Sequence, residues 1–166
     1  GAIWDLRSNR LRPAGWTSAD AAGLPILPGL ARYDEVAKGR IDHALRFTVS
    51  RTRRAYVWPA RHHASSLTEP ALPPMGARLR LKATVNISGF TPELQRVFQA
   101  MKTYGLILAD NGSDMYIQGG YDTRWDNDIL NPAFASLHAT DFEVIQLGWQ
   151  PPVTDLIFRD GFDGGP

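Results

Sequence analysis

The clearest hydrophobic pattern in the chain predicts a helix over residues 92–104. Thr91 and Pro92 supply an N-cap and a first-turn proline, and Gly105 ends the segment. Between them, apolar residues recur at the three- and four-residue spacing that gives a helix one buried face. These residues are Leu94, Val97, Phe98, Met101 and Tyr104. A single apolar face of this kind is typical of a helix that packs on a sheet.

Alternating and continuous apolar runs predict the strands of that sheet. Residues 77–87 alternate between apolar and polar positions, which predicts a strand with one buried and one solvated face. The run 106–109 is continuously apolar, which predicts a strand covered on both faces. Because Asn111-Gly112 follows, we expect a hairpin whose returning strand is 115–117. Shorter strands are predicted at 3–6, 41–49 and 142–147, and short helical segments at 16–23, 32–38 and 132–137.

These elements predict an α+β protein. We expect a mostly antiparallel β-sheet, either a sandwich or a rolled sheet, with the 92–104 helix as the one main helix packed on it. The length of 166 residues suits a single domain. We assign the globular domain to residues 1–150 and a C-terminal tail to residues 151–166.

Composition narrows the classes of function. The formal net charge of +1 indicates neither a nucleic-acid surface nor a polybasic membrane patch, so we expect no nucleic-acid or membrane partner. No apolar run in the sequence approaches the length of a membrane span. The chain has no cysteine, which excludes disulfides, thiol catalysis and zinc–thiolate sites.

Most of the candidate chemistry lies between Tyr104 and Asp128. Asp122, Arg124, Trp125 and Asp126 fall close together, and this set suits a sugar site. Carboxylates and a guanidinium bond sugar hydroxyls, while an indole face stacks on a pyranose ring. The alternative is a helix start, with Asp126 or Asn127 as the N-cap. A calcium loop is a weaker interpretation, because the required acid spacing and distal Glu are absent.

Asp110 and two histidines are the remaining candidates. Asp110 follows a buried strand directly, so its carboxylate is either a turn former or a reactive group on a rigid element. His43 stands near the start of a predicted strand, and its alternative role is a histidine satisfied by local hydrogen bonds. His62 and His63 follow Arg61, and their alternative role is an exposed loop pair.

We expect these groups to act on polysaccharide, with glycosidic hydrolysis by paired carboxyl groups as the favoured reaction. Asp110 is the predicted buried acid and Asp122 or Asp126 its solvated partner. One alternative is a lyase in which His43 or His62 is the base and Arg61 holds a uronate carboxylate. Another is a carbohydrate-binding module without catalysis. The predicted catalytic residues are Asp110, Asp122, His43 and His62, and the predicted substrate-binding residues are Arg61, Asn111, Arg124, Trp125 and Asp126. No cofactor is predicted; a divalent metal on His43, His62 and Asp110 is the weaker alternative.

Several long motifs fall in a fixed order along the chain: SADAAGLPILPGL, IDHALRF, VWPARHHASS, PPMGARLRLKA, YGLILADNG and DTRWDND. In this order they resemble a functionally uncharacterised family of secreted bacterial proteins, over residues 1 to about 147. The resemblance implies that this chain is the C-terminal portion, and that a preceding segment or a second chain completes the fold. It also implies importance for the residues at recurrent positions: His43, Arg46, Arg61, His62, Asp110, Asn111, Asp122 and Trp125.

The two ends of the chain bear on its processing. The sequence starts at Gly1 without an initiator Met, which indicates a processed product or a piece of a longer protein. Near the other end, the motif FRDGFD resembles short C-terminal tails on exported proteins of Gram-negative bacteria. We therefore expect a secreted or extracellular protein, with the periplasm as the alternative location.

Overall fold

A computed structural model describes residues 2–8 and 10–150 of the chain. Within that part of the chain, five strands form one sheet and three α-helices surround it. In chain order the elements are α1 (Tyr33–Lys38), β1 (Leu45–Val49), β2 (Arg78–Leu81), α2 (Pro92–Thr103), β3 (Leu106–Asn111), β4 (Tyr116–Ile117), α3 (Asn127–Ala135) and β5 (Phe142–Val144). Two single-turn 3-10 helices, Leu27–Gly29 and Ala139–Asp141, complete the regular structure. The predicted tail 151–166 lies outside the described residues.

The strand order across the sheet is β4-β1-β3-β2-β5. Strands β1 and β3 run parallel at its centre, with Leu45 aligned on Leu106 and Val49 aligned on Asn111. The other three pairings, β1 with β4, β2 with β3 and β2 with β5, are antiparallel. The predicted α+β class is therefore confirmed, in a single mixed sheet.

The predicted hairpin at Asn111-Gly112 is wrong. Strand β4 pairs with β1, because β3 already has β1 on one edge and β2 on the other. The chain after β3 therefore crosses the end of β1. There the hydroxyl of Thr48 donates to the carbonyl oxygen of Ser113 at 2.7 Å. A Cβ at Gly112 would lie 2.9 Å from that hydroxyl oxygen, so glycine permits the close crossing.

Helix α2 supplies much of the core and confirms the predicted 92–104 helix. Four of the five residues of its predicted apolar face are buried, and Phe98 has no exposed surface. The fifth, Tyr104, follows the last helical residue and is 39% exposed. The Phe98 ring packs edge-to-face against Phe90 at 4.9 Å and against Phe134 at 5.3 Å between ring centroids. Aromatic burial of this kind contributes about 1.5–3 kcal/mol per side chain.

Several shorter predictions need correction. Residues 3–6 are not a strand, and the side chain of Ile3 is fully exposed, because no other strand lies beside them. Segment 16–23 forms turns and not a helix. The strand predicted at 77–87 ends at Leu81, where the Lys82 N–H bonds to the Asp141 carbonyl oxygen outside the strand pairing. Strands β1 and β5 are shorter than predicted, and α3 starts earlier than the predicted turn at 132–137.

The short helix predicted at 32–38 is confirmed as α1, which ends at Gly39 in a left-handed conformation with φ of 105°. In the part of the chain described, no helix has the length and apolar character needed to cross a membrane.

Candidate functional site

A β-bulge in β3 determines what lies over one face of the sheet. Phe47 of β1 aligns with Leu108 and Thr48 aligns with Asp110, so Ala109 has no partner in β1. The Ala109 carbonyl oxygen accepts a hydrogen bond from the Ala22 N–H at 2.9 Å. This bond anchors residues 15–31, here called the cover segment, over the face of the sheet that carries Arg46.

Two further backbone contacts fix the ends of the cover segment. At one end the Gly15 N–H donates to the carbonyl oxygen of Arg61 at 2.6 Å, and at the other the Ala31 N–H donates to the carbonyl oxygen of Gln118 at 3.0 Å. The segment has little regular secondary structure, so its position depends on these long-range bonds.

Beneath the cover segment, Asp20 and Arg46 form a buried ion pair with Nη2 and Oδ2 3.1 Å apart. The other Asp20 oxygen, Oδ1, accepts bonds from the Leu24 N–H at 2.9 Å and from the Ser18 hydroxyl at 3.1 Å. Burial is the main cause that raises the pKa of Asp20, and the negative charge of Asp110 raises it further. Asp20 was not predicted, although SADAAG is one of the motifs quoted above.

Asp110 is half-buried at the end of β3, and its Oδ1 accepts the Asn111 N–H at 2.8 Å. The Asn111 side chain bridges two groups after β1, because its Oδ1 accepts from the Thr52 hydroxyl at 2.9 Å and its Nδ2 donates to the Ser50 carbonyl oxygen at 3.2 Å. Asn111 therefore ties the ends of the two parallel strands together.

A second cluster, here called the aromatic site, consists of Tyr33, Asp122, Arg124 and Trp125. Arg124 binds Asp122 through two bonds, Nε to Oδ1 at 2.8 Å and Nη2 to Oδ2 at 2.6 Å. Its guanidinium carbon lies 4.4 Å from the ring centroid of Tyr33. The Tyr33 and Trp125 rings meet edge-to-face at 4.9 Å, and the indole N–H donates to the Gly120 carbonyl oxygen at 3.1 Å.

The aromatic site forms because the loop after β4 docks on the start of α1. Gly119 makes a parallel bridge with Ala31, and the Gly120 N–H donates to the Ala31 carbonyl oxygen at 2.9 Å. A Cβ at Gly119 would lie 3.2 Å from that oxygen, so glycine at this position allows the close approach. Hydrogen bonds from Arg124 lower the pKa of Asp122 to about 2, and so this carboxyl group is ionised at neutral pH.

Asp126 and Tyr121 flank residues 122–125 of the aromatic site in the sequence. Asp126 caps α3, with its Oδ1 accepting the N–H groups of Asp128 at 3.0 Å and Ile129 at 3.3 Å, as the helix-start alternative proposed. Tyr121 is 95% exposed. Sequence reasoning passed over Tyr121, although an aromatic residue directly after Gly119-Gly120 is a usable signal of a ring presented on a loop.

His43 is buried under α1. Its Nε2 lies 3.1 Å from Glu35 Oε2 and its Nδ1 lies 2.9 Å from the Ala44 carbonyl oxygen. Both ring nitrogens of His43 therefore lie against oxygen atoms of the protein. Glu35 also binds Arg32. The hydrogen-bonding groups of His43 thus have partners inside the protein, which is the alternative role predicted for it from the sequence.

His62 lies elsewhere, next to the cover segment. Its Nδ1 is 3.2 Å from the Ala21 carbonyl oxygen, and its ring stacks on His63 with centroids 5.2 Å apart. Arg61 uses its Nε to bind the carbonyl oxygen of Arg12 at 2.8 Å.

The structure therefore does not gather the predicted residues into one hollow. Because His43 precedes β1 while Asp110 aligns with its fourth residue, Thr48, the two are separated by roughly 15 Å along the strand direction. Asp122 binds Arg124 and Asp126 caps α3, whereas Asp110 accepts the Asn111 N–H. Among residues 2–8 and 10–150, no three His, Asp or Glu side chains are placed to hold a metal ion, so the triad of His43, His62 and Asp110 does not form.

Comparison of the chain with protein-family models, with curated proteins and with solved structures finds no match. The structure is that of a small α+β protein with a surface patch that is both aromatic and polar.

Proposed function

We propose that this protein binds polysaccharide through the aromatic site, as a carbohydrate-binding protein. The observation that carries the proposal is the doubly bonded Arg124–Asp122 pair held over Tyr33, whose ring meets that of Trp125. Tyr121, directly before Asp122 in the chain, is 95% exposed. In line with the resemblance to secreted bacterial proteins, the proposed setting is outside the cytoplasm.

The chemistry of the patch suits a sugar. The C–H face of a pyranose ring packs favourably on an aromatic face, whose π cloud is electron-rich. The fixed ion pair offers N–H donors and carboxylate lone pairs to the hydroxyl groups around that ring. Because Arg124 is already held by Asp122 and Tyr33, binding orders few additional side-chain rotamers.

The test compares two exposed tyrosines. Wild-type protein, Tyr121→Ala and Tyr116→Ala are titrated with soluble neutral oligosaccharides by calorimetry. Tyr116 is 58% exposed on β4, where it pairs with Thr48 of β1, and serves as the matched control. We expect Tyr121→Ala to weaken glycan binding about tenfold and Tyr116→Ala to leave it unchanged. Absence of wild-type binding to every glycan, or equal losses in both variants, contradicts the proposal.

Hydrolysis is a second candidate, with Asp110 as its reacting carboxyl group, because Asp110 is half-buried at the end of β3. Asp20 lies close enough for its charge to interact with that of Asp110, but its side chain is 1% exposed and bound by Arg46, so Asp20 does not contact the substrate itself. The test measures release of reducing ends from polysaccharides: activity is lost in Asp110→Asn and kept in Asp122→Asn. Release that survives Asp110→Asn rejects this mechanism, and unsaturated products identify a lyase instead.

A further inference from the structure

We propose that a second surface of this protein binds an acidic polysaccharide by its carboxylate groups. The surface, here called the basic–aromatic surface, consists of Trp4, Arg12, Trp16, Arg61, His62 and His63. It lies at the start of the cover segment, whereas the aromatic site lies at its other end, so the two surfaces are separate. The inference does not depend on the function proposed for the aromatic site.

The centre of the surface is Arg12, whose guanidinium lies between two indole rings. Its Cζ is 5.3 Å from the ring centroid of Trp16 and 5.8 Å from that of Trp4. The two rings remove part of the water around the cation. The Nε of Arg12 is buried and has no hydrogen-bond partner, and no carboxylate pairs with Arg12 among the described residues. An anion placed here compensates a cation that the protein leaves without a counter-charge.

Arg61 brings a second cation to the same place. Its Nε donates to the Arg12 carbonyl oxygen at 2.8 Å, and its own carbonyl oxygen accepts the Gly15 N–H at 2.6 Å. Arg61 too has no carboxylate partner in the part of the chain that the structure describes. Asp5 pairs with Arg7 and Asp20 is buried against Arg46, so neither of these acids neutralises the surface.

A column of stacked rings continues from Arg61. His62 and His63 stack at 5.2 Å with an angle of 11° between their planes, and His63 stacks on Tyr56 at 6.4 Å with an angle of 8°. The surface therefore combines two guanidinium groups with several ring faces. Trp16 is 57% exposed, so its indole has open area for a ligand ring.

This arrangement fits a linear polyuronate, a polymer with one carboxylate per sugar ring. The guanidinium groups bind carboxylates by charge-assisted hydrogen bonds, and the aromatic rings pack on the sugar faces between them. Single-stranded nucleic acid has the same two features. The polysaccharide is favoured because the chain carries a net charge of only +1, whereas nucleic-acid binding domains are strongly basic.

The experiment uses oligogalacturonate and its fully methyl-esterified form, titrated by calorimetry at low salt. We expect the free acid to bind at least about tenfold more tightly than the ester, because esterification removes the charges that the arginines bind. The double variant Arg12→Gln/Arg61→Gln is expected to lose at least about tenfold in affinity for the free acid. The double variant Arg40→Gln/Arg80→Gln has the same change in net charge at arginines paired with Asp42 and Glu143, and is expected to match wild type.

A further variant keeps the test decisive if the loss of Arg12 prevents folding. Trp16→Ala removes an exposed ring and keeps both arginines, and it is also expected to weaken binding of the free acid. Tyr121→Ala is expected to bind the free acid as wild type does, which separates this proposal from the one for the aromatic site. Equal affinity for acid and ester, equal losses in the two arginine double variants, or tighter binding of an oligothymidylate of equal charge overturns the proposal.

Discussion

Asp20 and Arg46 form an ion pair in the interior of the protein, although 26 positions separate them in the sequence. Their side chains are 1% and 7% exposed. The pair connects the cover segment to β1 and so joins the least regular part of the chain to the centre of the sheet. Two charges in such a position depend on each other, because neither has water to replace the lost partner.

We therefore predict that Asp20→Ala lowers the free energy of unfolding by about 3–5 kcal/mol, since Arg46 is left as an uncompensated buried charge. Urea denaturation measures the change. Arg80→Ala is the control, because it breaks an exposed pair with Glu143 and is expected to cost less than about 1 kcal/mol. The double variant Asp20→Ala/Arg46→Met is expected to recover part of the loss. Equal effects in the two single variants would show that the buried pair has no special role.

The ion pair in the aromatic site predicts a specific pH dependence. Arg124 holds the pKa of Asp122 at about 2, below its ordinary value of 3.8. The folded state therefore binds this proton less tightly than the unfolded chain does. The stabilisation is fully present above pH 3.8 and is lost as the pH falls through 2. Carbon NMR of the Asp122 carboxyl group checks this, and in Arg124→Gln we expect its pKa to return towards 3.8.

Two glycines with positive φ are expected to differ in how much stability their substitution by alanine costs. Gly76 has φ of 79°, and a Cβ there would lie 2.1 Å from the Val57 carbonyl oxygen. Gly39 has φ of 105°, but a Cβ there meets no atom within 4 Å. We expect Gly76→Ala to cost about 3 kcal/mol or more, and Gly39→Ala only the backbone term of about 1–2 kcal/mol. Urea denaturation of both variants measures the two costs. Equal shifts of the unfolding midpoint would refute the predicted clash at Gly76.

The core makes a further prediction at Phe98. Phe98→Ala removes a side chain without exposed surface and is expected to cost about 3–5 kcal/mol. Ile3→Ala, at a fully exposed residue, is expected to leave the free energy of unfolding unchanged. A large cost at Ile3 would contradict the full exposure of its side chain.

The sequence was sufficient for elements whose signals are local. The face of α2 and its N-terminal proline lie within a dozen residues, and Gly39 ends α1 by its own conformational freedom. Asp126 likewise caps α3 through bonds to residues two and three positions ahead. In each case the residues that determine the structure are neighbours in the chain, so the pattern contains the information.

The parts that could not be predicted depend on distant partners. Asn111-Gly112 is a strong hairpin signal, but nothing near it reveals that β1 occupies the edge of β3 where the returning strand was expected. Asp20 looked like part of a helical turn, and only the fold brings Arg46 to it. The expected pairing of Asp110 with Asp122 is replaced by a local contact, because Arg124, two positions along the chain, binds Asp122.

The central parallel pair also determines the order in which the protein can assemble during synthesis. Strand β1 ends at Val49, whereas its neighbours β3 and β4 begin only at Leu106 and Tyr116. Newly made Leu45 and Phe47 therefore leave the ribosome with both edges of their strand unpaired, and they stay so until most of the chain has been translated. During that interval the unpaired strand can associate with other chains. The nascent protein is therefore most prone to aggregation before β1 has paired.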